Sequence, residues 1–409
     1  MALSCVPLAA QSAATVPQLE AEARQRLAAR DASGALAAYE KLAGLVPRSA
    51  SYQDEIGFLL AATNRSPDAI PHFRRATELD PRMAQAWYHL GVALWLTQQR
   101  DPAMRSLQKA VTLAPDQGDY RFRLGSAYSE TGHYAEAIPE LRLAARRLHT
   151  NAAVWETLGL ACQRQNQFSE AREAYRQALT LDPKNDAIRN SYGEALVKSG
   201  DPAAGLKEFR ALLERDPNNV RVQVNAGVAY LAAGNMEAAI RELSRITRDH
   251  PDDAGAHYDL GIAYKQIDDL PHASAELERA AALDPSLAEA HYSLGLTYID
   301  AGAAGKAIEQ LREAVAQRPE YIEAWYILGT TLKQQGDVDG AIEALRRSVT
   351  LDRQNAAAWN NLGLLLRRKD DTAGAQEAFA KAAEIRRAEE RAKEKQLQRG
   401  MARNSKGQS

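Results

Sequence analysis

The chain has 409 residues, 45% of them hydrophobic, with 51 basic against 53 acidic side chains and a net charge of −2. That balance gives no general attraction to nucleic acid or anionic membranes, and no run of 18 apolar residues is present to span a bilayer as an integral membrane segment. Cys5 and Cys162 are the only cysteines, which excludes a disulfide framework or a zinc cluster.

Residues 1–15 come first. "MALSCVPLAAQSAA" carries no charged side chain and reads as a short apolar run followed by small residues. This is the pattern of the hydrophobic and cleavage regions of a secretory signal peptide lacking its basic start. The alternative is a flexible tail. An export signal would place the protein in the periplasm or outside the cell, a tail in the cytoplasm. Either way the segment is set aside from the fold.

From residue 16 onward the chain repeats. Gly57, Gly91, Gly125, Gly159, Gly193, Gly227, Gly261, Gly295, Gly329 and Gly363 are each 34 residues from the next, and Ala23 continues the series backward. Eleven units follow: 16–49, 50–83, 84–117, 118–151, 152–185, 186–219, 220–253, 254–287, 288–321, 322–355 and 356–389. A fixed internal period of this length points to an array of stacked supersecondary units.

Counting each unit from its first residue puts the glycine at slot 8. In the unit opening at Ile322, Trp325, Leu328, Gly329 and Leu332 lie at i, i+3, i+4 and i+7, one face of a helix. "QQGD" with Gly336 ends that run, and Ala341, Leu345, Ser348 and Leu351 form a second face. Most units carry a proline near their end, such as Pro81, Pro115 and Pro319, which cannot continue a helix. Each unit is therefore helix, turn, helix, turn. Small residues at fixed slots let two helices approach. The glycines are expected to face the alanines of slot 20, with Trp87, Trp155, Trp325 and Trp359 filling space between units.

The pattern resembles the tetratricopeptide repeat family. The resemblance rests on Leu at slot 7, Gly at slot 8, Ala at slot 20, an aromatic at slot 24 (Tyr39, Phe73, Tyr175, Phe209, Phe379) and Pro at slot 32, over residues 16–389. Leu107, Leu141 and Leu243 depart from it at slot 24. It implies an all-α solenoid of helix-turn-helix repeats, a right-handed superhelix whose first helices line a concave groove. Family members are mostly protein-binding scaffolds. Residues 390–409 are expected to be a charged C-terminal cap and tail.

If slots 2, 5, 9 and 12 line that groove, two apolar stretches emerge. One gathers Phe58, Tyr88, Val92, Trp95 and Phe122, the other Tyr258, Ile262, Tyr292, Leu296 and Tyr326. Glu156, Asn190 and Glu194 lie between them. Aromatics on a rigid frame are the usual anchors of protein recognition, so peptide segments of other proteins are the expected partners. The same tyrosines could equally serve as packing against the next unit. Two groove types known in the family do not fit. No unit has the Lys at slot 5 and Asn at slot 9 that clamp a terminal carboxylate in co-chaperones. The Asn ladder of the O-GlcNAc transferase array is absent at slot 6, where only Asn225 and Asn361 occur.

No catalytic constellation is found, and no cofactor or metal is expected. His257 and His291 fall at slot 4, the Trp slot, and read as packing residues. "GAAGK", Gly302 to Lys306, lacks the spacing of a phosphate loop. Asp252-Asp253 and Asp370-Asp371 read as loops or caps, and Cys162 as a buried, inert thiol. Gly205, Arg189, Tyr192, Gln223 and Ala226 break the pattern, so residues 186–226 are expected to hold the weakest contacts between repeats. The reading is a non-catalytic scaffold. Its alternatives are a targeting or regulatory subunit of a separately encoded, glycosyltransferase-like enzyme, or an exported envelope-assembly factor. Arg outnumbers Lys by 38 to 13, a composition of GC-rich bacterial genomes. Oligomeric state is not legible.

Overall fold

A computed structural model describes the backbone of residues 8–406 and the side chains of residues 15–393. Cys5 and the start of the export-like segment lie outside the described residues. Among the described residues there are 22 helices and no strand. The chain divides into two compact units, Met1–Leu212 and Leu213–Ser409. That division falls inside the irregular span 186–226.

The first unit is built from α1 (Leu8–Ala28), α2 (Ala32–Leu45), α3 (Ala50–Ala62), α4 (Ser66–Leu79), α5 (Ala84–Leu96), α6 (Arg100–Leu113), α7 (Gly118–Glu130), α8 (Tyr134–Arg147), α9 (Ala152–Arg164), α10 (Phe168–Leu181), α11 (Asp186–Lys198) and α12 (Pro202–Leu213). The second holds α13 (Val220–Ala232), α14 (Met236–Asp249), α15 (Ala254–Gln266), α16 (Leu270–Leu283), α17 (Ala288–Asp300), α18 (Ala304–Gln317), α19 (Ile322–Gln334), α20 (Val338–Leu351), α21 (Ala356–Arg368) and α22 (Thr372–Lys406). Two ends differ from the sequence expectation. α1 starts at Leu8, inside the segment set aside as signal or tail, and α22 continues to Lys406 without a break at Glu389. Elsewhere a first helix packs chiefly on the helix that follows it, as α3 on α4 or α15 on α16, and then on the next pair. Successive first helices also touch, α3 with α5 and α19 with α21.

Every turn from a first to a second helix uses one left-handed residue at slot 15, from Arg30 (φ 58°) to Asp370 (φ 61°). At Gln98, φ is 63°, and the next amide, of Gln99, donates to the Leu94 carbonyl at 2.9 Å. This closes the helix with the wide hydrogen-bonded loop that a left-handed residue permits. In several repeats an acid or amide then caps the second helix: Asp337 accepts from the Gly340 amide at 3.0 Å, and Asp371 from Gly374 at 2.9 Å. Asp253 does the same for α15. The acidic pairs are caps.

The glycine partner needs correction. A Cβ on Gly329 would lie 2.7 Å from Leu345 Cγ, and one on Gly57 would lie 2.6 Å from the Phe73 ring. Both neighbours occupy slot 24, not the alanine of slot 20. The same holds at Gly91 with Leu107 and Gly159 with Tyr175. The slot-24 side chain seats against the bare backbone whether it is Leu or aromatic.

Slot 4 also does more than fill space. Trp87, Trp155, Trp325 and Trp359 each donate the indole N–H to the carbonyl six residues earlier, at 2.9–3.1 Å. Arg121, Arg189 and Gln223 donate to the corresponding carbonyls of Pro115, Pro183 and Pro217. Nε2 of His257 and His291 sits 3.3 and 3.2 Å from those of Pro251 and Pro285. Nine successive repeats thus use a side-chain donor to satisfy a carbonyl of the incoming loop. Where that donor is Trp, slot 23 is small: Ser106, Ala174, Ala344, Ala378. Where it is Arg or His, slot 23 supplies a second partner, as Glu140 for Arg121, Glu208 for Arg189 and Glu276 for His257. Arg189 and Gln223, flagged as irregular, fulfil the same role as tryptophan.

The core of each unit is a file of side chains between helices. In the first unit Ile56, Leu60, Leu90, Leu94 and Leu124 are buried, and in the second Leu311, Leu328, Leu332, Leu345 and Leu362.

Candidate functional site

In the first unit the predicted apolar stretch forms around His89. Asp54, at slot 5 of α3, is 1% exposed and lies 2.9 Å from His89 Nδ1. The imidazole sits between the rings of Phe58 and Phe73, each 5.4 Å away. Phe58 is 46% exposed, an uncommon state for a Phe beside a folded core. Tyr88 is half-buried and stacks on Tyr120 with ring centroids 4.5 Å apart. Burial pushes both phenols up, and the carboxylates of Asp54 and Asp119 add to this at Tyr120. Burial also raises the Glu55 carboxyl, with Asp54 beside it as the second cause. Val92 and Phe122 are half-buried against neighbouring core.

Trp95 is not on the open face. It is 5% exposed. Slot 12 stands one helical turn beyond the buried glycine of slot 8, so the indole turns inward. Its ring is covered by two guanidinium groups, that of Arg100 at 4.0 Å and that of Arg123 at 5.3 Å from the centroid.

In the second unit, Tyr258, Ile262, Tyr292, Leu296 and Tyr326 are all half-buried. Tyr258 and Ile262 pack against the cluster around Leu277 and Leu294, and Tyr326 against that around Leu328. Tyr292 meets Tyr321 at 4.9 Å, and Arg318 lies over the Tyr321 ring at 4.8 Å while pairing with Glu289. The Tyr321 phenol is pushed up to about 12, mainly by burial and then by Tyr292. These tyrosines therefore pack on neighbouring repeats while keeping part of their surface open. Of the polar residues between the stretches, Asn190 is buried and donates to Glu194, which also accepts from Gln163.

Other candidates resolve as structure. His257 and His291 are buried, and each faces an acceptor on both sides, Glu276 or Gln310 besides the proline carbonyl. Cys162 is fully buried, and burial pushes its thiol up to about 12. Gly302 is the left-handed turn residue, and Lys306 Nζ lies 5.2 Å from the Tyr298 ring. Among the described residues no group of three or more His, Cys, Asp or Glu could hold a metal ion, and no helix is long and apolar enough to cross a membrane.

Sequence models of tetratricopeptide repeats match residues 55–118 and 258–322, 118–147 and 356–389, and 298–363. Residues 134–253 match the model described as the TPR domain of cytochrome c-type biogenesis protein H. The chain is a tetratricopeptide repeat protein. Its fold is similar to a tetratricopeptide repeat protein from Parabacteroides merdae ATCC 43184, with TM-score 0.54 and 15% identity, over 61% of this chain and 98% of that one. Crystalline MamA is 27% identical over 40% of this chain and 96% of its own, with TM-score 0.39. A human IFIT1 dimer with PPP-AAAA is 17% identical over 82% and 91%, with TM-score 0.43. No curated protein matches the chain.

Three site features of this repeat protein escaped the slot reading. Tyr120 stands at slot 3, Tyr321 at slot 34 and Arg123 at slot 6, none of them in the rows taken to face a ligand. Their signal was present only as an aromatic or a cation next to each apolar stretch.

Proposed function

We propose that the chain is a non-catalytic scaffold that binds peptide segments of partner proteins along the open face of its first helices. Phe58, Tyr88, Val92 and Phe122 form one docking stretch, and Tyr258, Ile262, Tyr292, Leu296 and Tyr326 another. The observation that carries this is Phe58, 46% exposed beside half-buried Tyr88 and Val92. Exposed apolar surface costs free energy in water, so an aromatic held open on a rigid frame is suited to covering by a partner. The test is partner capture by the full chain against Phe58→Arg and against a Tyr258/Tyr292/Tyr326→Ala triple variant. Capture should fall in at least one of them while circular dichroism still shows a folded chain. The triple variant should also melt earlier, because all three tyrosines pack on neighbours. Undiminished capture in both variants would remove the two stretches as sites.

A second reading is favoured by the match of residues 134–253 to the cytochrome c-type biogenesis protein H domain. In it the scaffold assists the assembly of other proteins in the cell envelope, which agrees with the signal-like residues 1–15. N-terminal sequencing of the mature protein checks it: an N-terminus retained at Met1 or Ala2 would speak against export. A targeting subunit for a separate enzyme has no comparable observation behind it.

A further inference from the structure

The two guanidinium groups over Trp95 in the first unit are sparsely partnered. Arg123 rises from α7 and Arg100 from the start of α6, and both meet one indole. Arg123 has a single ionic partner, Glu130, at 3.9 Å, and that carboxylate is 52% exposed. Its Nε–H is buried with no hydrogen-bond partner. Arg100 donates to the Gln98 side chain at 2.7 Å and, weakly, to the Trp95 carbonyl at 3.4 Å. Neither of those acceptors carries a charge. Two cations thus converge on one indole, with Arg123 also near Tyr88, without a close carboxylate of their own. Desolvation weakens the Arg123 guanidinium's hold on its proton, and the charge of Arg100 adds to the effect.

We propose that this pair receives an acidic side chain of the bound segment, an Asp or Glu set beside an apolar anchor. The inference rests on the scaffold reading above and names the ligand chemistry of its first stretch. A carboxylate entering beside the two guanidinium groups accepts from Nη–H donors of both, offsets one of the two positive charges and screens their mutual repulsion. Planar guanidinium groups suit carboxylate geometry, and partial burial strengthens the attraction. The surroundings favour a segment carrying one acid over a polyanion. Asp54, Glu55 and Asp119 lie around the same aromatic group and would repel a run of phosphates.

The test uses the full chain to select binders from a phage-displayed dodecapeptide library. The best binder is made synthetically, with its acids also replaced by amides, and fluorescence anisotropy is read on the native protein, Arg100→Gln, Arg123→Gln, Phe58→Arg and the Tyr258/Tyr292/Tyr326→Ala triple variant. The expected result is an enriched peptide with an Asp or Glu next to an apolar residue, bound at least tenfold more weakly after amide replacement and after either Arg substitution. Arg100 is partly exposed, so its variant keeps the test valid if Arg123→Gln disturbs packing. A peptide lost with Phe58→Arg but indifferent to the acid and to both arginines overturns this inference and leaves the scaffold reading standing. Failure of any peptide to depend on Phe58 or on the tyrosines of the second unit overturns both. Tighter binding of an oligouridine than of the peptide, lost in Arg123→Gln, would also overturn it.

Discussion

Gln98 adopts φ 63°, a left-handed conformation that costs a residue with a Cβ about 1 kcal/mol or more. Glycine already holds this turn position at Gly132, Gly200, Gly234, Gly302 and Gly336. Gln98→Gly should therefore stabilise the fold by up to about 1 kcal/mol, and Gly336→Val should destabilise it by about 1–2 kcal/mol, both read from urea unfolding midpoints. Cys162 offers a second check at this scale. With its thiol fully buried and pushed up to about 12, Cys162 carries very little thiolate at pH 8. In a Cys5→Ser background a disulfide reagent should label the native protein far more slowly than the urea-unfolded chain. Equal rates would contradict the burial.

Between elements, the repeat depends on two contacts whose partners come from different helices. One is the seat of slot 24 on the slot-8 glycine. Gly329→Ala would drive a methyl to 2.7 Å from Leu345 Cγ and 3.3 Å from its backbone nitrogen, overpacking that costs about 1–3 kcal/mol. Combined with Leu345→Ala, the total loss should be smaller than the sum of the single losses, because the cavity accepts the methyl. The other contact is the slot-4 donor. Gln223→Leu keeps the volume and removes the bond to the Pro217 carbonyl, so it should cost about 1 kcal/mol despite the added apolar surface. A neutral result would make Gln223 a mere departure from the repeat.

For the whole molecule, titration and exchange are the informative measurements. The phenols of Tyr298 and Tyr321 are both pushed up to about 12, chiefly by burial, and Tyr298 also donates to Glu278. A group whose folded value is raised favours the fold while protonated. This stabilisation is complete below the ordinary phenol value near 10 and is lost as pH rises from there toward 12. Denaturant midpoints should therefore be flat up to about pH 10 and fall beyond it, less steeply in Tyr298→Phe. Hydrogen exchange is expected to be fastest across residues 186–226, where the repeat pattern is most broken and where the division between the compact units falls. Uniform protection along the chain would remove that expectation.

Much was legible from residues alone. The spacing of Gly57 through Gly363, the apolar faces and the turn residues prescribe helical hairpins, because helix periodicity and left-handed turns are local properties of the chain. The buried roles of Cys162, His257 and His291 followed from their slots. What the sequence could not decide was which side chain meets which across helices. Gly329 is seated under Leu345 rather than beside Ala341, Trp95 turns inward under Arg100 and Arg123, and Arg189 and Gln223 perform the bond of a tryptophan. Those outcomes depend on how far each helix is rolled and shifted against its neighbour. That setting emerges only when all the side chains of adjacent helices are packed together.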